Sequence, residues 1–325
     1  MKRLIPVIVM ILCLVPILSP AEPDAAPGAL IPAEDENGKW GYVNSEGVFE
    51  IPPQYDHAFG FRGDYAQIVV FPEDYEGERN PYFNVCSGII DRNGAIVLEP
   101  AYLIDDGYGD SFYGGWDAGI WYISGGWDGA DNTIHAGWFD VRSGFFSGLK
   151  WAGVYPSVSD SRLIPVMDDT YRSGYADRTT GELVIPCLYE SVDASQFCGG
   201  VASVCLVDEE YDAAGNRGRS IYHLIDETGK EIPLPEGIFA VPYEGAHDGL
   251  VMVADHENAI MYWYDEGILY GYADTQGSLV IEPQFIAVRQ FSGGSAAVQF
   301  PEGDWGYIDT TGAVTGRGLT ERPDP

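Results

Sequence analysis

Basic residues are scarce. Only 17 Lys and Arg stand against 50 Asp and Glu, a formal net charge of −33. Such a chain repels phosphate backbones and anionic lipid, which excludes nucleic acid and a polyanionic surface as expected partners. The excess acid reads first as solubility, and second as attraction to cations or basic surfaces. Cysteine is sparse too. Beyond Cys13 there are Cys86, Cys187, Cys198 and Cys205. None forms a CxxC pair, so no zinc site is expected. Cys198 and Cys205 admit either a disulfide or two buried thiols. The histidines His57, His135, His223, His247 and His256 are scattered. Amphipathic helical patterns are missing beyond a turn or two.

Long apolar runs are also missing, with one exception. Leu4 to Leu18 is apolar but shorter than the ~20 residues that span a bilayer. Lys2 and Arg3 precede it and Ser19-Pro20-Ala21 follows, so residues 1–21 read as a signal peptide and the protein as secreted or on the cell surface. An uncleaved anchor and a buried strand are the alternatives. Residues 22–28 read as a flexible Pro/Ala lead-in, residues 29–315 as one β-repeat domain, and residues 316–325 as a tail.

What the chain has is a repeat. Trp40-Gly41-Tyr42-Val43-Asn44-Ser45-Glu46-Gly47 leads into Val48-Phe49-Glu50-Ile51-Pro52-Pro53. Alternation over Trp40–Asn44 is the period of a strand. The Asn44–Gly47 stretch is a turn, with Asn44 accepting backbone N–H bonds and Gly47 tolerating positive φ. A second strand follows and ends at proline, which cannot donate to a ladder. Copies begin at Gly41, Gly88, Gly137, Gly174, His223, Gly271 and Gly306, spaced on average about 44 residues apart, a period of solenoids and propellers. The turn pairs are Asp91 and Gly94, Asp177 and Gly181, Asp226 and Gly229, Asp274 and Gly277, and Asp309 and Gly312. The third copy is degenerate after Asp140 and Gly144. The seventh, at Trp305, reads as truncated after Gly312. A second signature, Phe-x-Gly-x-x-Ala-x-apolar, follows three copies: Phe61 to Ile68, Phe197 to Val204, and Phe291 to Val298. It implies a third strand per unit.

These residues resemble the WG-repeat family, bacterial β-rich proteins named for the Trp-Gly dipeptide that Trp40-Gly41 and Trp305-Gly306 keep. The resemblance spans about residues 29 to 315. It implies an all-β repeat of six to seven hairpin units with three to four strands each. It implies no catalytic residues, since the family shares none. Propeller-like closure of about six blades is expected, because a truncated seventh hairpin could complete the sheet begun near Leu30. An open β-solenoid is the alternative.

Residues 105–132 break the rhythm with Asp110, Trp116, Trp121, Tyr122, Trp127 and Asp128. Exposed rings beside carboxylates suit a sugar: the rings stack on its apolar face and the acids accept its hydroxyls. The competing reading is a pair of elaborated strands whose tryptophans are core. The aspartate spacing lacks the glycine and closing Glu of a calcium loop.

Signals for an enzyme are few. HExxH and GxSxG are absent, and the repeated aspartates are best explained as turn caps. Asp255-His256-Glu257 reads as a polar loop. The expectation is a non-enzymatic, secreted binding module for an extracellular glycan, cell-wall polymer or protein, with no cofactor and no metal. The alternative is a secreted carbohydrate-active hydrolase with paired carboxylates on the same scaffold.

Overall fold

A computed structural model describes residues 28–76, 86–105, 119–125, 135–155, 161–190, 196–206, 222–241, 245–256 and 267–320. Every regular element among them is a β-strand. The strands fall into seven consecutive repeat units, antiparallel within each. The first holds β1 (Ile31–Glu34), β2 (Trp40–Val43) and β3 (Phe49–Tyr55). The second holds β4 (His57–Ala58), β5 (Tyr65–Val69), β6 (Ser87–Asp91) and β7 (Ile96–Asp105). The third holds β8 (Ile120–Gly125), β9 (Ala136–Asp140) and β10 (Phe145–Phe146). The fourth holds β11 (Gly153–Val154), β12 (Leu163–Met167), β13 (Arg172–Asp177) and β14 (Leu183–Glu190). The fifth holds β15 (Val201–Cys205), β16 (Tyr222–Asp226) and β17 (Glu231–Ile232). The sixth holds β18 (Phe239–Ala240), β19 (Leu250–Ala254), β20 (Tyr270–Asp274) and β21 (Leu279–Phe285). The seventh holds β22 (Ala287–Val288), β23 (Ser295–Gln299), β24 (Trp305–Asp309) and β25 (Val314–Leu319).

These units make six sheets among the described residues, because β7 pairs with β8 and joins the second and third units into one. Among the described residues no sheet closes on itself. The seventh copy is not truncated: β25 pairs with β24 and completes its hairpin.

The recurring glycine is fixed by the strand opposite. Ser173 pairs with Tyr189 and Tyr175 with Ile185, so Gly174 alone faces Pro186, Cys187 and Leu188. This is a bulge. A Cβ on Gly174 would lie 2.5 Å from the Ile185 carbonyl oxygen and 2.8 Å from the Cys187 nitrogen. Gly41, Gly88 and Gly271 face the same bulge at Pro52-Pro53, Pro100 and Pro283. The prolines thus sit where no ladder bond is needed. His223 breaks the rule for a physical reason. Pro233 stops its partner strand at Ile232, no bulge forms, and a side chain fits.

The turn acids follow one pattern. Asp91 Oδ1 accepts from the Asn93 and Ala95 N–H groups at 2.8 and 2.9 Å. Asp226, Asp274 and Asp309 accept from the equivalent pair of N–H groups, and Asn44 does so with its amide oxygen.

Six apolar clusters join the seven units in series. Tyr42 and Ile51 of the first unit pack with Ala66 and Ile68 of the second. Tyr175 and Ile185 pack with Phe197 and Val204, and Tyr272 and Ile281 with Phe291 and Val298. The second signature therefore belongs to the next unit and covers the hairpin before it. Among the described residues, no cluster joins the seventh unit to the first. Burial follows. β15 and β19, covered on both faces, are buried throughout. In β23 burial alternates, because one face alone is covered.

Candidate functional site

Of the residues chosen for a binding surface, Asp110, Trp116, Trp127 and Asp128 lie outside the described residues. Trp121 and Tyr122 lie in β8, which is no insertion: it pairs with β9 and is the first strand of the third unit. The strand period sends the two side chains to opposite faces. Trp121 is 1% exposed, with its ring 5.8 Å from that of Phe139 and with Ile89, Leu98, Ile104 and Ile123 in its cluster. Its indole Nε1 has no hydrogen-bond partner among the described residues. It is core and offers no face to a sugar. Tyr122 is half-buried against the cluster of Ile120 and Trp138 on the other side. The two cannot form one platform.

The recurring acids are engaged. Burial tends to raise the Asp177 carboxyl, but the Arg162 guanidinium at 2.6 Å and the donors of Thr179 and Thr180 hold it at about 2. Asp226 and Asp309 are lowered first by the hydroxyls of Thr228 and Thr311. Asp91 is lowered by the N–H groups of Ala95 and Asn93 against the opposing effect of burial.

The other polar groups are likewise tied into structure. His57 packs between Trp40 and Phe59, ring centroids 4.7 and 4.8 Å away, and burial lowers its pKa. His223 Nδ1 lies 2.9 Å from Glu231 Oε1. In Asp255-His256-Glu257, Asp255 Oδ1 accepts from the Leu269 N–H and its own N–H donates to the Leu269 carbonyl. Glu257 lies outside the described residues. No disulfide joins Cys198 to Cys205. Burial pushes the Cys187 thiol up to about 11, away from a reactive thiolate.

One buried ion pair joins the third and fourth units. Arg178 Nε and Nη2 donate to the two oxygens of Asp140 at 2.9 and 3.2 Å, with both side chains almost fully buried. The Arg178 carbonyl accepts from Trp138 Nε1 at 2.8 Å.

The sequence reading missed a surface on the seventh unit. Tyr42, Tyr175 and Tyr272 follow the recurring glycine and are fully buried. Each meets a phenylalanine of the next unit, Phe61, Phe197 or Phe291, at a centroid distance of 4.8 Å. The Tyr42 hydroxyl donates to the Phe59 carbonyl at 2.9 Å, and that of Tyr272 to the Arg289 carbonyl at 2.7 Å. Tyr307 holds the same position and is 37% exposed. The available signal was that Gly306-Tyr307 is intact while residues 308–325 hold no Phe-x-Gly.

No curated protein matches the chain. Among solved structures, the computationally designed Ika8 protein shares 10% identity at a TM-score of 0.34, over 89% of this chain and 84% of that one. BamB from Moraxella catarrhalis shares 14% at 0.30, over 91% and 81%. The β-propeller domain of the Trilobed protease from Pyrococcus furiosus shares 11% at 0.38, over 79% and 80%. Likenesses this distant carry no argument about function. The family described as WG containing repeat matches residues 40–70, 174–208 and 270–300, the three stretches that run from a buried Gly-Tyr hairpin to the Phe-x-Gly strand covering it.

Proposed function

We propose that this chain is a secreted, non-enzymatic β-repeat module that recognises an extracellular protein or polymer. One observation carries the reading: the residues that recur are spent on architecture. The glycines admit bulges, the aspartates cap turns, and the Tyr–Phe pairs join units. Recognition is then left to the surfaces the repeat does not consume. The signal-like residues 1–21 and the net charge of −33 support an extracellular, soluble setting. The serial clusters and the alternating burial of β23 support an open array over propeller-like closure.

The test is a binding panel of glycans, cell-wall polymers and basic proteins beside a panel of chromogenic glycosides, using residues 22–325. Saturable binding without turnover is expected. Steady turnover that co-purifies with the protein would replace this reading with the hydrolase. Small-angle scattering separates the architectures, since an open array exceeds a closed ring of the same mass in maximum dimension.

A further inference from the structure

We infer that the turn carrying Tyr171 is a recognition site for a basic polypeptide, whose arginine or lysine side chain lies over the exposed Tyr171 ring beside the Asp169 carboxylate. The inference deepens the binding reading above and rests on it, naming the class of partner.

The described residues build one turn seven times, starting at Asp35, Asn44, Asp91, Asp168, Asp226, Asp274 and Asp309. In each, the first residue's carbonyl accepts the N–H of the residue three places on, and its own N–H donates to the carbonyl four places on. Its side-chain oxygen accepts the N–H groups two and four places on, as Asp35 Oδ1 does from Asn37 and Lys39, and Asp168 Oδ1 from Thr170 and Arg172. This geometry sends the fourth residue to positive φ. Six of the seven turns put glycine there, Gly38, Gly47, Gly94, Gly229, Gly277 and Gly312, with φ between 77° and 85°. The seventh puts Tyr171 there, at φ 61°. That region is unfavourable for a bulky side chain and open to glycine.

Nothing structural offsets the strain. Tyr171 is 69% exposed, and among the described residues its side chain makes no hydrogen bond and no ring contact. Asp248, the other non-glycine residue described at positive φ, does have a return: its Oδ2 accepts the Gly294 N–H at 2.7 Å. Strain kept for an exposed ring, in a turn that works six times with glycine, marks a position held for function.

The chemistry around the ring selects the occupant. A tyrosine face attracts a cation through its π-electrons. Asp169 adds a carboxylate on the same turn, 76% exposed, with Oδ1 3.4 Å from His135 Nε2. Arg172, the next residue, stands opposite the buried Glu190 across the ladder. Over longer range the net charge of −33 draws a basic partner in and repels a second copy of this chain. A neutral glycan gains nothing from that field. The partner is thus a basic protein segment, and a guanidinium suits it best, since its plane stacks on the ring while its N–H groups reach the carboxylate.

The probe is a hexa-arginine peptide, titrated into the full chain by calorimetry in enough salt to screen long-range attraction. Tyr171→Gly removes the ring and relaxes the turn without changing the net charge. Its binding is expected to be about two- to fivefold weaker than the parent's, with a urea midpoint at or above the parent's. Tyr171→Phe keeps the ring face and should bind as the parent does. Equal binding by the parent and Tyr171→Gly overturns the inference, because net charge then accounts for all of it. A lower urea midpoint for Tyr171→Gly also overturns it, by giving Tyr171 a structural task. So does a glycan whose binding needs Tyr171 while the peptide is ignored, which would make the occupant a sugar. A polymer bound alike by the parent and Tyr171→Gly, with the peptide ignored, removes this inference alone, and the binding reading survives.

Discussion

Tyr272 and Phe291 meet nearly edge to face, with ring centroids 4.8 Å apart and planes 67° from one another, across the boundary between the sixth and seventh units. The Tyr272 hydroxyl donates to the Arg289 carbonyl at 2.7 Å. Both rings are buried. Such a pair contributes roughly 0.5–1.5 kcal/mol beyond its buried area.

Truncation of Phe291 to alanine is therefore expected to cost about 3–5 kcal/mol, since it deletes a buried ring. A double-mutant cycle with Tyr272→Phe should show coupling between the sites, because the hydroxyl is held only where the ring pair holds it. Urea unfolding of the four proteins measures both.

Tyr307 is expected to behave differently. Tyr307→Ala should fall within about 0.5 kcal/mol of the parent, as exposed sites do. Tyr272→Ala should unfold at clearly lower denaturant. Comparable losses at the two positions would show that Tyr307 is covered.

Gly174→Ala places a methyl against the Ile185 and Cys187 backbone. Backbone does not step aside as a side chain does, so a loss of about 1–3 kcal/mol or more is expected. His223→Ala, at the copy without a bulge, should be near neutral. The paired thermal midpoints test whether the glycine serves the bulge.

Arg178→Met leaves the Asp140 carboxylate buried without its partner. The expected loss is about 3–5 kcal/mol. A second change, Asp140→Leu, should recover part of it, which chemical denaturation of the single and double variants would reveal.

Acid should unfold the protein through its turns. The Asp177 carboxyl sits at about 2 when folded against 3.8 ordinarily, and those of Asp91, Asp226 and Asp309 are also lowered. A depressed carboxyl lends stability that is complete above its ordinary value and is lost as pH falls through its folded value. Melting temperature should hold down to about pH 4 and drop toward pH 2. Asp177→Asn should flatten that drop.

The hairpins were legible because glycine and aspartate have backbone duties that few other residues perform. Asp91-Arg92-Asn93-Gly94 names its own turn, and the prolines name the strand that needs no donor. The bulge opposite Gly41 was not legible, since it depends on how Pro52 and Pro53 stand across the ladder. Trp121 stayed open between core and surface for a related reason. Ile120-Trp121-Tyr122-Ile123 does not alternate in polarity, because both faces of β8 are covered, and polarity then cannot separate a core ring from a surface ring. Val314-Thr315-Gly316-Arg317 hid β25, for it lacks both the aliphatic run and the proline of its counterparts. In its place Arg317 stands over the Phe300 ring at 4.1 Å and pairs with Asp304 and Glu302.

The stretch of sequence that repeats does not coincide with a sheet. It begins on the last two strands of one and finishes on the first two strands of the next, as residues 270–300 do across β20 to β23. Lock and key of each junction are consequently encoded side by side. If such a segment is copied or excised whole, every tyrosine keeps the phenylalanine it was matched to. What must be rejoined is the ladder within a sheet, and peptide groups are the same whatever the side chains. A chain assembled this way can change its number of units without redesigning any boundary between them.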